Sequence, residues 1–322
     1  MWNGLQMARA FYEECGKPMI ESQFSLYADR IAVGLAGQGS ECFGYDDRIS
    51  RDHDYQPGFC LWLSEDLKQQ IGGQLQQAYD RLDVEGFIIR HRLDMGMAPN
   101  ESEMTGAREH RFGVHGIEEF FYEHTGITGK PQSTDDWLKT PMYYLAEAVN
   151  GEVFYDPEGE FSGIRSCWQN FYPEDILKKK VAADLAMAGK TGQFNYERSL
   201  RRGDIQAAYG CVTEFIYKIS AALFLLNGRY MPYYKWRGRA MKELTVCRDA
   251  VDLIFELQQL PESENVHKSY LIEKISSIII DEIRRRQWSA GYSDYLLDQA
   301  RIIMKGISDP EIASWNIFVG ED

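Results

Sequence analysis

Apolar residues recur at three- and four-residue steps almost without a break between residues 174 and 305. Phe215, Ile219 and Leu223 are one stretch of this pattern, and residues at such spacing share one face of a helix. A stripe of this length, interrupted only by short polar segments, is typical of several helices packed on one another. The second half of the chain is therefore predicted to be all helical.

Shorter apolar runs, bounded by turn residues, occupy the first half of the chain. Ile31–Ala36 and Phe59–Leu63 have the composition of buried strands, and Ser64 after the second run begins a helix. Further strands are predicted at Gly86–Arg92 and at Arg111–Ile117, where the second runs into a helix over 118–124.

A hairpin is predicted over Glu152–Arg165, around the turn Asp156–Gly159. Together these patterns predict an α/β (α+β) mixed sheet with flanking helices over residues 1–172. An all-α C-terminal helical domain follows over residues 173–322.

Composition excludes several classes of protein. The formal charge of -14 repels a phosphate backbone, so long nucleic acid is an unlikely partner, whereas a cationic small substrate is favoured. The longest apolar run, Ile219–Leu226, is too short to cross a bilayer. Residues 1–20 contain no apolar segment of the kind found in secretory signals, so we expect no cleaved signal there. Six cysteines without CxxC spacing argue against a zinc site and a disulfide framework. We expect a cytoplasmic protein without membrane partners.

The most informative stretch joins a glycine-rich turn to a pair of acids. Gly39–Ser40 follows the first predicted strand, and Asp52 and Asp54 follow twelve or more residues later. Two carboxylates at i and i+2 of a strand point to one face, with their Cα atoms about 6.6 Å apart, so both can converge on divalent cations. Small residues let backbone N–H groups approach phosphate oxygens. The pattern predicts a nucleotide triphosphate held by the turn and metal ions held by the acids.

This pattern resembles the signature of the nucleotidyltransferase superfamily. Residues 37–47, 50–54 and 232–236 resemble more closely a mainly bacterial family known as domain of unknown function 4037, over most of the chain. The superfamily resemblance implies a mixed sheet, a helical domain closing over an acceptor, and Mg²⁺ (two ions, with Mn²⁺ possible) held by Asp52 and Asp54. It implies an enzyme that binds ATP or another nucleoside triphosphate and transfers its monophosphate to a hydroxyl, most simply of a small molecule.

A third carboxylate usually completes such a site, and the sequence leaves its identity open. Asp156 ends a predicted strand but also belongs to an Asp-Pro-x-Gly turn, where a turn-forming role is favoured. Glu118 is the nearest acid to the other neighbouring strand. Asp156 is our first prediction for the catalytic base, Glu118 the second, and a third possibility is that the acid is absent.

Basic side chains are needed as well, because the metal ions alone do not neutralise a triphosphate. Arg51 and Lys235 are predicted, with Gly39 and Ser40, to bind the nucleotide. Other candidates among the basic residues are Arg165, Arg201 and Arg202.

Three rival hypotheses stay open. His53 beside Asp54 resembles a metal phosphohydrolase motif, but no histidine precedes it to complete such a site. A degenerate protein that binds nucleotides or partners without catalysis would also keep the pocket. The acidic charge disfavours the third, a transferase acting on polynucleotides.

Overall fold

Strands β1 (Ala32–Leu35) and β2 (Cys60–Leu63) are buried at every residue in the computed structural model, which describes residues 1–47, 49–50, 56–96 and 111–320. A strand covered on both faces needs a continuous apolar run rather than an alternating one. Both apolar runs singled out in the sequence therefore form strands, as predicted.

The described residues form one four-stranded sheet in the order β3–β2–β1–β4, with β3 at Gly113–Gly116 and β4 at Glu152–Tyr155. Strand β1 runs antiparallel to β2 and to β4, whereas β3 runs parallel to β2. The sheet is thus mixed and small, and most of the described chain is helical.

The chain divides into two compact units, residues 1–136 with 144–170 and residues 137–143 with 171–322. The first unit contains the whole sheet. In chain order, the α-helices of the described residues are α1 (Gly4–Phe11), α2 (Lys17–Gln23), α3 (Glu65–Asp80), α4 (Val84–Met95), α5 (Ile117–Thr125), α6 (Thr134–Leu138), α7 (Met142–Val149), α8 (Glu160–Gln169), α9 (Glu174–Ala188), α10 (Tyr196–Arg201), α11 (Ile205–Leu226), α12 (Tyr234–Met241), α13 (Arg248–Gln259), α14 (Asn265–Arg285), α15 (Leu296–Lys305) and α16 (Pro310–Ser314).

Aromatic side chains cover both faces of the sheet in the first unit. Trp62 of β2 stacks on Phe161 of α8, with ring centroids 3.9 Å apart. Phe59, just before β2, packs edge-on against Tyr79 of α3 at 5.0 Å and also against Phe11 of α1. Because residues 59 and 62 differ by an odd number of positions, their side chains point to opposite faces of the strand. Helices therefore lie on both sides of the sheet.

The predicted strand at Gly86–Arg92 is wrong, because these residues belong to α4. Asp83 caps the helix by accepting a hydrogen bond from Gly86 N at 2.8 Å, and Gly96 ends it in a left-handed conformation. Phe87, whose neighbours gave the segment its strand-like composition, packs edge-on against Phe11 at 5.1 Å. Caps and tertiary packing outweigh the intrinsic propensity here.

The predicted hairpin is half wrong. Its first strand exists as β4, but Phe161 and the residues after it form α8 instead of a second strand. The Asp156 carboxylate accepts a hydrogen bond from Ser162 N at 2.7 Å, and Gly159 has a φ of 71°. The turn thus starts a helix, and Phe161 reaches Trp62 from that helix.

The second unit is built on α9, α11 and α15, which pack together as the helical pattern predicts. Phe215, Ile219 and Leu223 of α11 are fully buried, whereas Ile205 at its start is exposed. By length and composition α11 passes as a membrane-spanning segment, but 67% of its most apolar window is buried inside the protein. A core helix has the same properties.

Candidate functional site

The turn after β1 is fixed by an asparagine. Gly37 N donates to Asn150 Oδ1 at 2.8 Å, and Asn150 Nδ2 donates back to Gly37 O at 2.7 Å. Gly37 and Gly39 have φ values of 102° and 119°, which other residues rarely adopt. Gly39 and Ser40 donate no backbone hydrogen bond to any described residue. The turn is held in place while these two N–H groups keep their donor capacity.

An ion pair lies directly against this turn. Arg111, just before β3, pairs with the buried carboxylate of Glu41 and donates to Gln38 O at 3.3 Å. A side chain at Gly39 would lie 2.8 Å from Glu41 Oε2 and closer still to the Arg111 guanidinium. The backbone torsion of Gly39 therefore favours glycine, a larger residue there would displace the ends of the Arg111 and Glu41 side chains, and a guanidinium is present at the turn.

Strand register decides which residues share the turn's edge of the sheet. Gly34, near the end of β1, pairs with Cys60 at the start of β2, and Leu35 pairs with Glu152 at the start of β4. The turn, the start of β2 and the start of β4 therefore lie at one edge, which we call the turn edge. The segment that leads into β2 reaches the sheet at this edge.

The predicted metal ligands Asp52 and Asp54 lie outside the described residues, as do Arg51 and His53. Description of the chain resumes at Gln56, two positions after Asp54. Within residues 1–47, 49–50, 56–96 and 111–320, no group of three or more His, Cys, Asp or Glu side chains converges to hold a metal ion. The metal-site assignment therefore stays a prediction.

Both predicted candidates for the third acid lie at the other end of the sheet. Asp156 follows β4, whose last residue, Tyr155, pairs with Val33 near the start of β1. Glu118 is in the first turn of α5, after the end of β3. The charges of Asp156 and Glu118 add to burial in raising the pKa of Glu160, so these acids lie near one another. The Asp156 carboxylate caps its own turn, and the strand directions separate both acids from Gly39 and Ser40.

A different carboxylate, Glu147, lies at the turn edge. It is 9% exposed, in the last turn of α7 and three residues before Asn150. Its Oε2 has no hydrogen-bond partner in the described part of the chain. Burial raises the pKa of Glu147 to about 7, and its charge acts on Cys42, two residues after Ser40. The structure thus places a protonatable acid beside the turn.

A buried imidazole also faces the turn. His124 Nδ1 bonds to Phe120 O at 2.8 Å, an arrangement in which the neutral ring donates from Nδ1 and leaves Nε2 as an acceptor. A side chain at Gly37 would lie 3.3 Å from His124 Nε2. Burial lowers the pKa of His124, with the Phe120 carbonyl opposing that shift. Burial therefore favours the neutral ring, in which Nε2 is an acceptor.

The predicted basic residues divide between the units. Lys235 belongs to the second unit and is exposed in the first turn of α12. Arg201 and Arg202 belong to the same unit; Arg201 is paired with Glu197, and Arg202 is exposed. Arg165 Nη2 donates to the carbonyls of Val149 and Asn150 at 2.8 Å, so it holds the segment that positions the turn's asparagine.

Sequence reasoning missed Arg111, Asn150 and Glu147. Glu147 carries a detectable signal, because it is a lone charge within the apolar stretch Leu145–Val149 of a predicted helical pattern. Arg111 and Asn150 border a strand and a helix as ordinary polar residues do, and only the folded arrangement brings them to Gly37–Ser40.

Residues 137–237 match the model of a protein family described as "Domain of unknown function (DUF4037)". In this part, the chain resembles that family. The matched segment is about a third of the 322 residues and includes the Pro232–Trp236 motif. A search of curated proteins and a search of solved structures each returned no match.

Proposed function

We propose that this chain is a magnesium-dependent nucleotidyltransferase with a nucleotidyltransferase-like sheet, which transfers a nucleoside monophosphate from a nucleoside triphosphate to an acceptor hydroxyl. One observation carries the proposal. The glycine turn that follows β1 lies at the turn edge of the sheet, and β2 starts at the same edge. The Asp52-x-Asp54 motif precedes β2 by a few residues in the sequence. The segment that follows Asp54 thus reaches the sheet beside the glycine turn, and this supports the proposal that the two halves of the motif form one site.

The groups at the turn have the chemistry that a triphosphate requires. The N–H groups of Gly39 and Ser40 and the Ser40 hydroxyl are donors, and Arg111 supplies a positive charge next to them. Glu41 holds that guanidinium in place. In the proposed complex, these groups contact the β- and γ-phosphates, and Arg111 adds a positive charge to those of Arg51 and Lys235, which the sequence predicts to bind the nucleotide.

The acids fit a hard divalent cation. Asp52 and Asp54 would supply carboxylate oxygens, the ligands that Mg²⁺ and Mn²⁺ prefer. Two such ions would neutralise the phosphates and stabilise the charge that develops during transfer. The acceptor is proposed to be a small molecule, and a cationic one suits the net charge of -14.

The test combines binding with turnover. Calorimetry with Mg²⁺ and each of ATP, GTP, CTP and UTP measures binding. Pyrophosphate release is then measured in three reactions, with kanamycin, with choline and without an added acceptor. In the third reaction, an α-labelled nucleotide shows whether the protein itself becomes labelled. We expect binding and release, and at least about a 100-fold loss of release in the Asp52→Asn/Asp54→Asn double variant.

Asp66→Asn is the matched control, because Asp66 is an exposed aspartate in the first turn of α3, after the end of β2 that lies away from the turn edge. Its turnover should equal that of the unmodified chain. Tight binding without pyrophosphate release would instead establish a degenerate nucleotide-binding protein. Absence of binding to all four nucleotides would refute both hypotheses.

A further inference from the structure

The turn edge holds an acid that the motif does not include. Glu147 is nine-tenths buried. The short link between the end of α7 and the start of β4, which begins three residues after Glu147, is hydrogen-bonded to the turn region. Asn150 is hydrogen-bonded to Gly37, and Gly151 N donates to Cys42 O at 2.7 Å. The Cys42 thiol donates in turn to Gln38 O. The segment that begins three residues after Glu147 is therefore hydrogen-bonded to the turn and to the residues that follow it.

The surroundings of Glu147 differ from those of a structural acid. Buried carboxylates are ordinarily paired with a cation or hydrogen-bonded at both oxygens. Glu147 Oε2 has no partner in the described part of the chain, and burial alone sets the direction of its pKa, which rises to about 7. Such a group costs stability, and carboxyl groups of this kind are concentrated at sites where protons are exchanged.

The other buried acid at the turn, Glu41, is already engaged in an ion pair. Its carboxylate is paired with the Arg111 guanidinium. The acids near Asp156 lie beside the start of β1, at the far end of the sheet. Glu147 thus combines the right edge with a buried carboxylate oxygen that has no hydrogen-bond partner among the described residues.

We propose that Glu147 is the proton acceptor for the attacking hydroxyl, an assignment that rests on the proposed function. The hydroxyl oxygen forms a bond to the α-phosphorus as its proton passes to the Glu147 carboxylate. The bond between the α-phosphorus and the bridging oxygen breaks, and pyrophosphate leaves with that electron pair. Glu147 returns the proton to solvent after product release, so the enzyme is regenerated without a further reactant.

A general base works best when its pKa lies near the pH of operation, and Glu147 meets that condition. The test is the Glu147→Gln variant, which keeps the volume of the side chain but cannot accept a proton. Pyrophosphate release from ATP with Mg²⁺ and the acceptor that supports turnover should fall about 100- to 10,000-fold. ATP binding measured by calorimetry should be unchanged.

The pH profile separates a proton acceptor from a merely structural residue. In the unmodified chain kcat/KM should rise about tenfold per pH unit up to pH 7 and then level off. Glu147→Gln should lose this limb. Glu160→Gln is the matched control, since Glu160 is a glutamate of raised pKa at the far end of the sheet, and it should keep both the rate and the limb.

The outcomes distinguish the two claims. If the unmodified chain turns over and Glu147→Gln keeps its rate and its pH limb, Glu147 is not the acceptor, while the proposed function stands. If His124→Gln abolishes the limb and Glu147→Gln does not, the imidazole is the base and our assignment is overturned. If the unmodified chain releases no pyrophosphate and labels no acceptor, the proposed function fails and this assignment fails with it.

Discussion

Replacing Glu147 with glutamine should change how the stability of the chain depends on pH. The folded pKa of Glu147 is raised from 4.5 to about 7, so between these values the folded state holds a proton that the unfolded state has lost. Stability relative to the variant is therefore highest below pH 4.5, falls as the pH rises towards 7, and is constant above. A pKa difference of about 2.5, at 1.36 kcal/mol per unit, corresponds to about 3 kcal/mol.

The assay compares the two chains at pH 5 and at pH 8. A chain with two compact units need not unfold in a single step, so hydrogen exchange of peptides from the first unit is preferred to a global transition. We expect the free energy of opening to favour the variant by about 2.5 kcal/mol more at pH 8 than at pH 5, slightly less than the full difference because the unfolded carboxyl is already largely deprotonated at pH 5. Contributions from other titrating groups cancel in the difference.

Glu119→Gln supplies a control of opposite sign. The hydrogen bond from Lys68, followed by that from Gly116 N, lowers the pKa of Glu119. Its contribution to stability is present above the ordinary value and is lost as the pH falls through the lowered one. If Glu147→Gln and the unmodified chain differ by the same amount at both pH values, Glu147 is not held in the protonatable state from which its function is inferred.

Two further predictions concern the turn and the N-terminal helices. Gly39→Ala should destabilise the first unit more than Gly44→Ala, measured by hydrogen exchange. Gly44, with a φ of 68°, lies in the left-handed helical region that other residues adopt at some cost, whereas Gly39, with a φ of 119°, lies outside it, and only at Gly39 does a methyl group meet the Arg111 side chain. Equal effects would contradict this prediction. The hydrogen bond to Glu14 raises the pKa of His91, so the stability that the pair contributes should be present below pH 6.5 and lost as the pH rises through the raised value. Hydrogen exchange in α4, measured across this pH range, should show this loss in the unmodified chain and not in His91→Gln. The same pH dependence in both chains would contradict the prediction.

The sequence predicts those parts of the fold that depend on local pattern. Continuous apolar runs identify β1 and β2 because a strand buried on both faces permits no polar residues. Gly86–Arg92 misleads because Phe87 and its neighbours are apolar for packing against α1, whereas the cap at Asp83 decides the conformation. Local composition alone does not reveal which of these effects is the stronger.

The candidate site is only partly predictable for a related reason. Gly39 and Ser40 are recognisable because a turn with positive φ and close contacts demands small residues. The choice between Asp156 and Glu147 depends on strand direction, since antiparallel pairing puts the end of β4 beside the start of β1. Strand direction is a long-range property, and no spacing in the sequence encodes it. Arg111 likewise reaches the turn only through the pairing of β3 with β2.

The most direct test of the central claim follows the phosphate groups of the nucleotide. Parallel reactions with Mg²⁺ and the acceptor panel use a triphosphate labelled at the α- or at the γ-phosphorus. We predict that the α-label becomes attached to the acceptor and that the γ-label appears in pyrophosphate, both abolished by Asp52→Asn/Asp54→Asn. Transfer of the γ-label to the acceptor, or its release as orthophosphate, would show that the turn edge performs a different reaction.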